Sequence, residues 1–250
     1  MRLSMWARIL FGASAVLFGV VTLMWHDPET WQALPFLKLP FGAIVADALA
    51  IAQILGGIGL VYPRTVRAAS IILGVVYLLF ALSCIPGMIA DPKTYVRYGA
   101  FFEWFSLVSG AIGAYAITEI NAARSASFAN AARLGLGLCA ISFAIAQIVY
   151  FRFTASLVPT WLPPSQAFWT ALTTIAFALA AIAMLVNRQA GLAIRLMTLM
   201  LALFGILIWI PAVSAHPNEH GNWSEFALNF LITGATWVVG RSLARLAPAK

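Results

Sequence analysis

Apolar residues gather along the chain in eight runs, at 9–25, 41–62, 68–88, 101–120, 134–151, 166–186, 193–212 and 225–239. Each approaches or reaches the roughly 20 residues that a helix needs to cross a bilayer's hydrocarbon core. Most charged residues fall in the segments between them. The pattern predicts an all-α, polytopic membrane protein with eight transmembrane helices. The first run follows Arg2 and Arg8, the charge order of a signal peptide. It is longer than a signal's apolar region, and a similar run recurs mid-chain, so it reads as a retained span.

The stretch 148–164 organises the second half of the chain. An apolar run ends in Tyr150, Phe151 and Phe153, meets one charge at Arg152, then turns through Pro159, Pro163 and Pro164 around Trp161. Three prolines bar a regular helix. Aromatic rings and irregular backbone belong at the membrane–water boundary, where polar backbone groups find water.

A shared order of landmarks recurs at about 125 residues. Arg8 through Gly12 answers Arg133 through Gly137, Trp25 answers Tyr150, and Pro35 with Pro40 answers Pro159 with Pro163. Arg64 answers Arg188, Pro86 answers Pro211, Pro92 answers Pro217, and Glu103 and Glu225 each open the last span of a half. The pattern predicts a duplication: repeats 1–125 and 126–250, each a four-helix bundle. With an even number of spans apiece they insert in the same sense, as parallel repeats. The segment 121–133, short and rich in Ala and Ser, reads as the linker. Gly56, Gly57, Gly59, Gly110 and Gly113 are small enough for close helix approach.

Charge sets the orientation. Eleven of the fifteen Lys and Arg residues, including Arg64, Arg67, Arg124, Arg133, Arg188, Arg241 and Arg245, fall on one side of these spans. Lys38, Lys93, Arg97 and Arg152 fall on the other. The positive-inside rule then predicts a bacterial-type inner (cytoplasmic) membrane protein with both termini cytoplasmic and 26–40, 89–100, 152–165 and 214–224 outside. Composition agrees: 62% of residues are hydrophobic and 9% charged, against roughly 25% charged in soluble domains. The net charge of +7 therefore reports topology; no basic run suits nucleic acid.

Candidate chemistry lies on the outer side. His216, Glu219 and His220 have the spacing H-x-x-E-H, which on a helix suits zinc. Pro217 and Gly221 favour a solvated loop, so a metal is not expected. Asp47 sits about 9 Å inside the second span, with Gln53 six residues on in a similar sector. It reads as an intramembrane site or as a carboxylate helped by its helix N-terminus. Glu103, Arg152 and Glu225 form an outer polar rim, with Arg97 placed to neutralise Glu103. Asn222 as N-cap with Glu225 at the third helical position reads as a capping pair. Cys84 and Cys139 lie at opposite depths, about 15 Å apart in height by helical rise, too far for a disulfide. No His lies within a span, and two isolated cysteines hold no iron–sulfur cluster. No P-loop occurs.

The segment Tyr150-x-x-x-Thr154-Ala155-Ser156-Leu157-Val158-Pro159-x-Trp161-Leu162-Pro163 resembles the DoxX-like membrane proteins, in particular tandem members with two four-helix units. Arg8 through Gly12 and Gly59 through Arg64 support it. Relatives carry a histidine three residues before the tyrosine; here that position is Gln147, an amide that still donates and accepts hydrogen bonds. The resemblance implies a small membrane subunit, tied in some relatives to quinone-linked sulfur oxidation and in others to assembly of redox proteins.

The leading expectation is an accessory or anchor subunit of a quinone-linked or periplasmic redox complex, without a redox centre of its own. It would hold a redox protein partner at the outer face and a quinone in a pocket lined by Gln147, Tyr150, Thr154, Trp161 and Trp169. The alternative is a small-molecule or lipid transporter or binding protein using the interface between repeats. The third is an outer-face metal-dependent enzyme.

Overall fold

The computed structural model describes residues 2–25 and 41–246, and they are helical with short connections. The helices are α1 (Arg2–Trp25), α2 (Gly42–Val61), α3 (Val66–Ala90), α4 (Val96–Thr118), α5 (Ala122–Val149), α6 (Phe151–Leu157), α7 (Gln166–Leu185), α8 (Ala190–Phe204), α9 (Ile210–Ala215) and α10 (His220–Ala244). A π-helical segment, Gly205–Trp209, joins α8 to α9. Eight crossings are long and apolar enough to span a membrane, with α8, the π segment and α9 forming one of them. Of the outer residues, His26, Asp27, Glu29, Lys38, Pro35 and Pro40 lie outside the described residues.

The crossings form a closed ring. α1 packs on α2, α2 on α3, α3 on α4, α4 on α5, α5 on α7, α7 on α8, α8 on α10, and α10 on α1. Across the middle, α4 packs against α10. Small residues make that contact possible. A Cβ at Gly110 would lie 2.4 Å from the Ala235 Cβ, and one at Gly113 would lie 3.2 Å from the Val239 Cα. Without a solvent driving force between helices in lipid, such close packing carries much of their association.

Between α1, α3 and α4 the interior is filled by aromatic rings. Trp104 meets Phe80 at 4.8 Å and Phe18 at 5.7 Å edge to face, and Tyr77 stacks on it at 6.4 Å. Cys84 and Cys139 are buried and free. Large apolar residues elsewhere face outward, among them Ile44, Ile71, Ile175 and Leu199, as a lipid-facing surface requires.

Three sequence expectations are corrected. The segment 121–133 is not a linker: all but its first residue belongs to α5, a 28-residue helix. Alanine has the highest helix propensity, and the Asn121 side chain caps the start by accepting the Arg124 N–H at 3.1 Å. α10 begins at His220 rather than near Glu225, with Glu219 at the N-cap position. Asn222 is therefore inside the helix and donates from Nδ2 to the Glu219 carboxylate at 3.0 Å, so the Asn222–Glu225 capping pair does not form. The seventh crossing, read as uninterrupted, contains the π segment. Pro211 lacks an N–H and its ring crowds the carbonyl four residues back, and wider turns next to it relieve such crowding.

At the arginine-rich end, Glu119 closes the α4–α5 turn. Its Oε1 accepts the Ile120 and Asn121 N–H groups at 3.0 and 3.1 Å, and Oε2 pairs with Arg67 at 3.3 Å. The Asn121 N–H, helped by the Arg67 charge, holds this carboxyl below its ordinary range. A carboxylate lowered in the folded state contributes stability above its unfolded pKa and loses it as pH falls through the folded value. Glu119→Gln is expected to melt at a modestly lower temperature at neutral pH. The gap should close as pH falls below the ordinary carboxylate range, read by thermal melts in detergent across pH; a pH-independent gap would contradict the assignment.

Candidate functional site

A cavity of approximately 460 Å³ opens among α5, α6, α7, α8 and the π segment. Pockets of 300–1,000 Å³ suit small-molecule ligands. Its lining is sorted by depth. Gln147, Thr154, Trp169, Thr170, Thr173 and Trp209 lie toward the end that carries α6. Leu196, Leu199, Met200 and Leu203 continue it down α8. From Leu196 to Trp209 the groove runs roughly 20 Å at 1.5 Å per residue.

Gln147 lies two residues before the end of α5 and is only 9% exposed. Its Oε1 accepts from Thr173 Oγ1 at 3.1 Å and Thr174 Oγ1 at 2.9 Å. The Thr170 carbonyl competes for the same two hydroxyl protons, at 3.1 and 2.7 Å. The rim is fixed by two further bonds. Trp169 Nε1 donates to the Pro163 carbonyl at 2.8 Å, and Gln166 Nε2 to the Val158 carbonyl at 2.5 Å. The prolines expected to break the helix do so: α6 ends at Leu157, and the chain from Val158 onward lies across the cavity mouth, with Val158, Pro159 and Leu162 in its wall.

Of the five pocket residues read from sequence, Gln147, Thr154 and Trp169 line this cavity; Tyr150 and Trp161 do not. The Tyr150 hydroxyl instead accepts the Val96 N–H at 3.0 Å, tying α5 to the start of α4. Trp161 is 68% exposed on the turn, as an interfacial ring would be. The cavity also lies within the second half rather than between the halves. Thr170, Thr173 and the leucines of α8 carry no sequence signal, since leucine facing a cavity and leucine facing lipid read alike.

The other candidates have separate places. Gln53 is fully buried and donates to the Ala15 carbonyl at 3.0 Å, a tie between α1 and α2. Asp47 is half-buried near the start of α2. Glu103 is half-buried on α4 and Glu225 is exposed on α10. Arg97 and Arg152 are exposed, and neither forms an ion pair among the described residues. His216 Nδ1 lies 3.8 Å from Glu219 Oε1. His220 turns away, its ring 5.5 Å from that of Trp25 and its Nε2 3.1 Å from Ser224 Oγ. Thus His216, Glu219 and His220 are not gathered around one point: among the described residues no three His, Cys, Asp or Glu side chains could hold a metal.

No protein-family profile, no curated protein and no solved structure matches this chain.

Proposed function

We propose that the protein is a non-catalytic, multi-pass membrane protein that takes a lipid-like molecule from the bilayer into the α5–α8 cavity. The carrying observation is that cavity's form: a buried amide at one end and an apolar trough with outward-facing walls at the other. Leu172, Leu196, Leu199 and Leu203 line it while being 43–58% exposed. The occupant therefore reaches the site sideways through hydrocarbon.

The duplication is part of the proposal, and paired details support it. Arg8 Nη1 donates to the Leu60 carbonyl at 3.5 Å, and Arg133 Nη1 donates to the Met184 carbonyl. Asp91 and His216 end their helices at φ/ψ of −137°/74° and −133°/69°. Tyr98 and Trp223 each donate to a proline carbonyl six residues back, Pro92 and Pro217. Buried Val66, Ala69, Ser70, Leu73, Tyr77 and Ala81 correspond, 124 residues on, to buried Ala190, Ala193, Ile194, Met197, Leu201 and Gly205. At an offset of 125, Trp104 corresponds to Asn229. The ring that fills the first half thus has a smaller counterpart in the second, on α10 and outside the cavity's lining. The arginine-rich end is taken as cytoplasmic, by the positive-inside rule.

Protein purified in mild detergent should retain about one equivalent of an apolar bilayer molecule. Ala176→Trp and, separately, Leu199→Trp fill the trough and should cut that retention about tenfold while the melting temperature stays near wild type. Equal retention in a folded variant would end this reading.

A second reading makes the protein an accessory subunit with a quinone in the same cavity and a redox partner at the outer face. The DoxX-like segment from Tyr150 to Pro163 favours it. Co-purification of a haem, flavin or metal protein from native membranes would support it; full activity of the isolated chain would count against it.

A further inference from the structure

We infer that the occupant is a glycerophospholipid of the leaflet beside α6, with one acyl chain in the trough and an ester carbonyl on the Gln147 amide. This rests on the binding function proposed above and specifies its ligand. The amide decides the head chemistry. Gln147 Oε1 is engaged by two threonine hydroxyls, whereas its Nε2 has no hydrogen-bond partner among the described residues, although the side chain is nine-tenths buried against the cavity. That N–H opens onto the cavity, and an N–H that faces hydrocarbon without an acceptor is costly, so the site favours a ligand that brings one. The Trp169 N–H is spent on Pro163, and Thr170 Oγ1 donates to the Gln166 carbonyl at 3.0 Å. The polar groups left open, the Gln147 Nε2, the Thr154 hydroxyl and the Trp209 indole N–H, all lie toward the end that carries α6, and each can donate.

A ring with carbonyls at both ends would leave its second oxygen in the trough without a donor. An acyl ester places one carbonyl at Gln147 and sends only methylenes down α8 past Leu203, Met200 and Leu196. Its second ester and phosphate stay at the rim. Arg152 is exposed on α6, the helix that also carries Thr154 and Leu157 of the cavity wall, and a guanidinium is well suited to a phosphate.

Native mass spectrometry of the full chain in detergent, titrated with phosphatidylglycerol, tests this. Ester-linked lipid should bind about tenfold more tightly than its ether-linked analogue, which lacks the carbonyls, in keeping with one hydrogen bond at a buried donor. Gln147→Leu should erase that preference, and Arg152→Gln should weaken both lipids alike. Equal binding of ester and ether lipid to wild type, or a preference that survives Gln147→Leu, overturns the inference. A decyl-substituted benzoquinone that binds where phosphatidylglycerol does not overturns it too, but leaves the binding function standing. If wild type and Ala176→Trp bind every probe equally, both fall.

Discussion

Gly234→Val is expected to destabilise the bundle by about 3 kcal/mol, the upper part of the range for overpacking a filled interior. A Cβ at Gly234 would lie 2.6 Å from both the Cα and the N of Phe11. Those are backbone atoms, so no side chain can rotate aside. Nor can α1 retreat: on the α2 side, a Cβ at Gly12 would stand 2.4 Å from the Gly57 carbonyl oxygen. α10, α1 and α2 are thus stacked through glycines, and one added side chain must separate two of them. Gly191 provides the contrast. Nothing lies within 4 Å of a Cβ there, so Gly191→Ala should be neutral or slightly stabilising through helix propensity. Reversible unfolding in mixed micelles measures both. A Gly234→Val protein as stable as wild type would refute the packing described.

Arg133→Met should cost about 2 kcal/mol, the scale of a hydrogen bond from a charged donor. Arg133 is 6% exposed, donates to the Met184 carbonyl, and has Nε 3.4 Å from Asn130 Oδ1. It ties α5 to the last turn of α7. Methionine keeps the apolar stem and loses the head. Arg8→Met should cost less than half as much, because Arg8 meets Leu60 at 3.5 Å and its buried Nε has no partner. The same unfolding assay reads both. Equal costs would mean that the arginines act through charge alone, not through these carbonyls.

The eight crossings were legible because the requirement behind them is blunt: a span must be long and apolar. Their ends were less so. Residues 122–132 look like a linker on hydropathy, yet alanines and the Asn121 cap make a helix, and propensity wins where the segment packs on α4. Pro217 and Gly221 looked like a loop, but Pro217 precedes α10, and a glycine in a helix's first turn is tolerated. The π segment had Pro211 as its one hint. At the cavity, Gln147, Thr154 and Trp169 stood out as polar or amphipathic residues near a span end. Thr170 and Thr173 did not, because a threonine in an apolar helix usually bonds to its own backbone, and theirs do so, Thr173 while also reaching the amide. Tyr150 drew attention for its chemistry and proved to be a brace between helices.

On the proposed duplication, the π segment marks the place where the two halves differ in length. From Arg64 to Pro86 is 22 residues, and from Arg188 to Pro211 is 23. Correspondence holds at 124 through Gly205 and resumes at 125 by Pro211, so the surplus residue falls within the widened turn. A one-residue insertion would rotate everything beyond it by roughly 100° in a regular helix; a bulge localises the slip. On the proposed duplication, the cavity wall at Leu207, Ile208 and Trp209 is built from the turn that absorbs the extra residue.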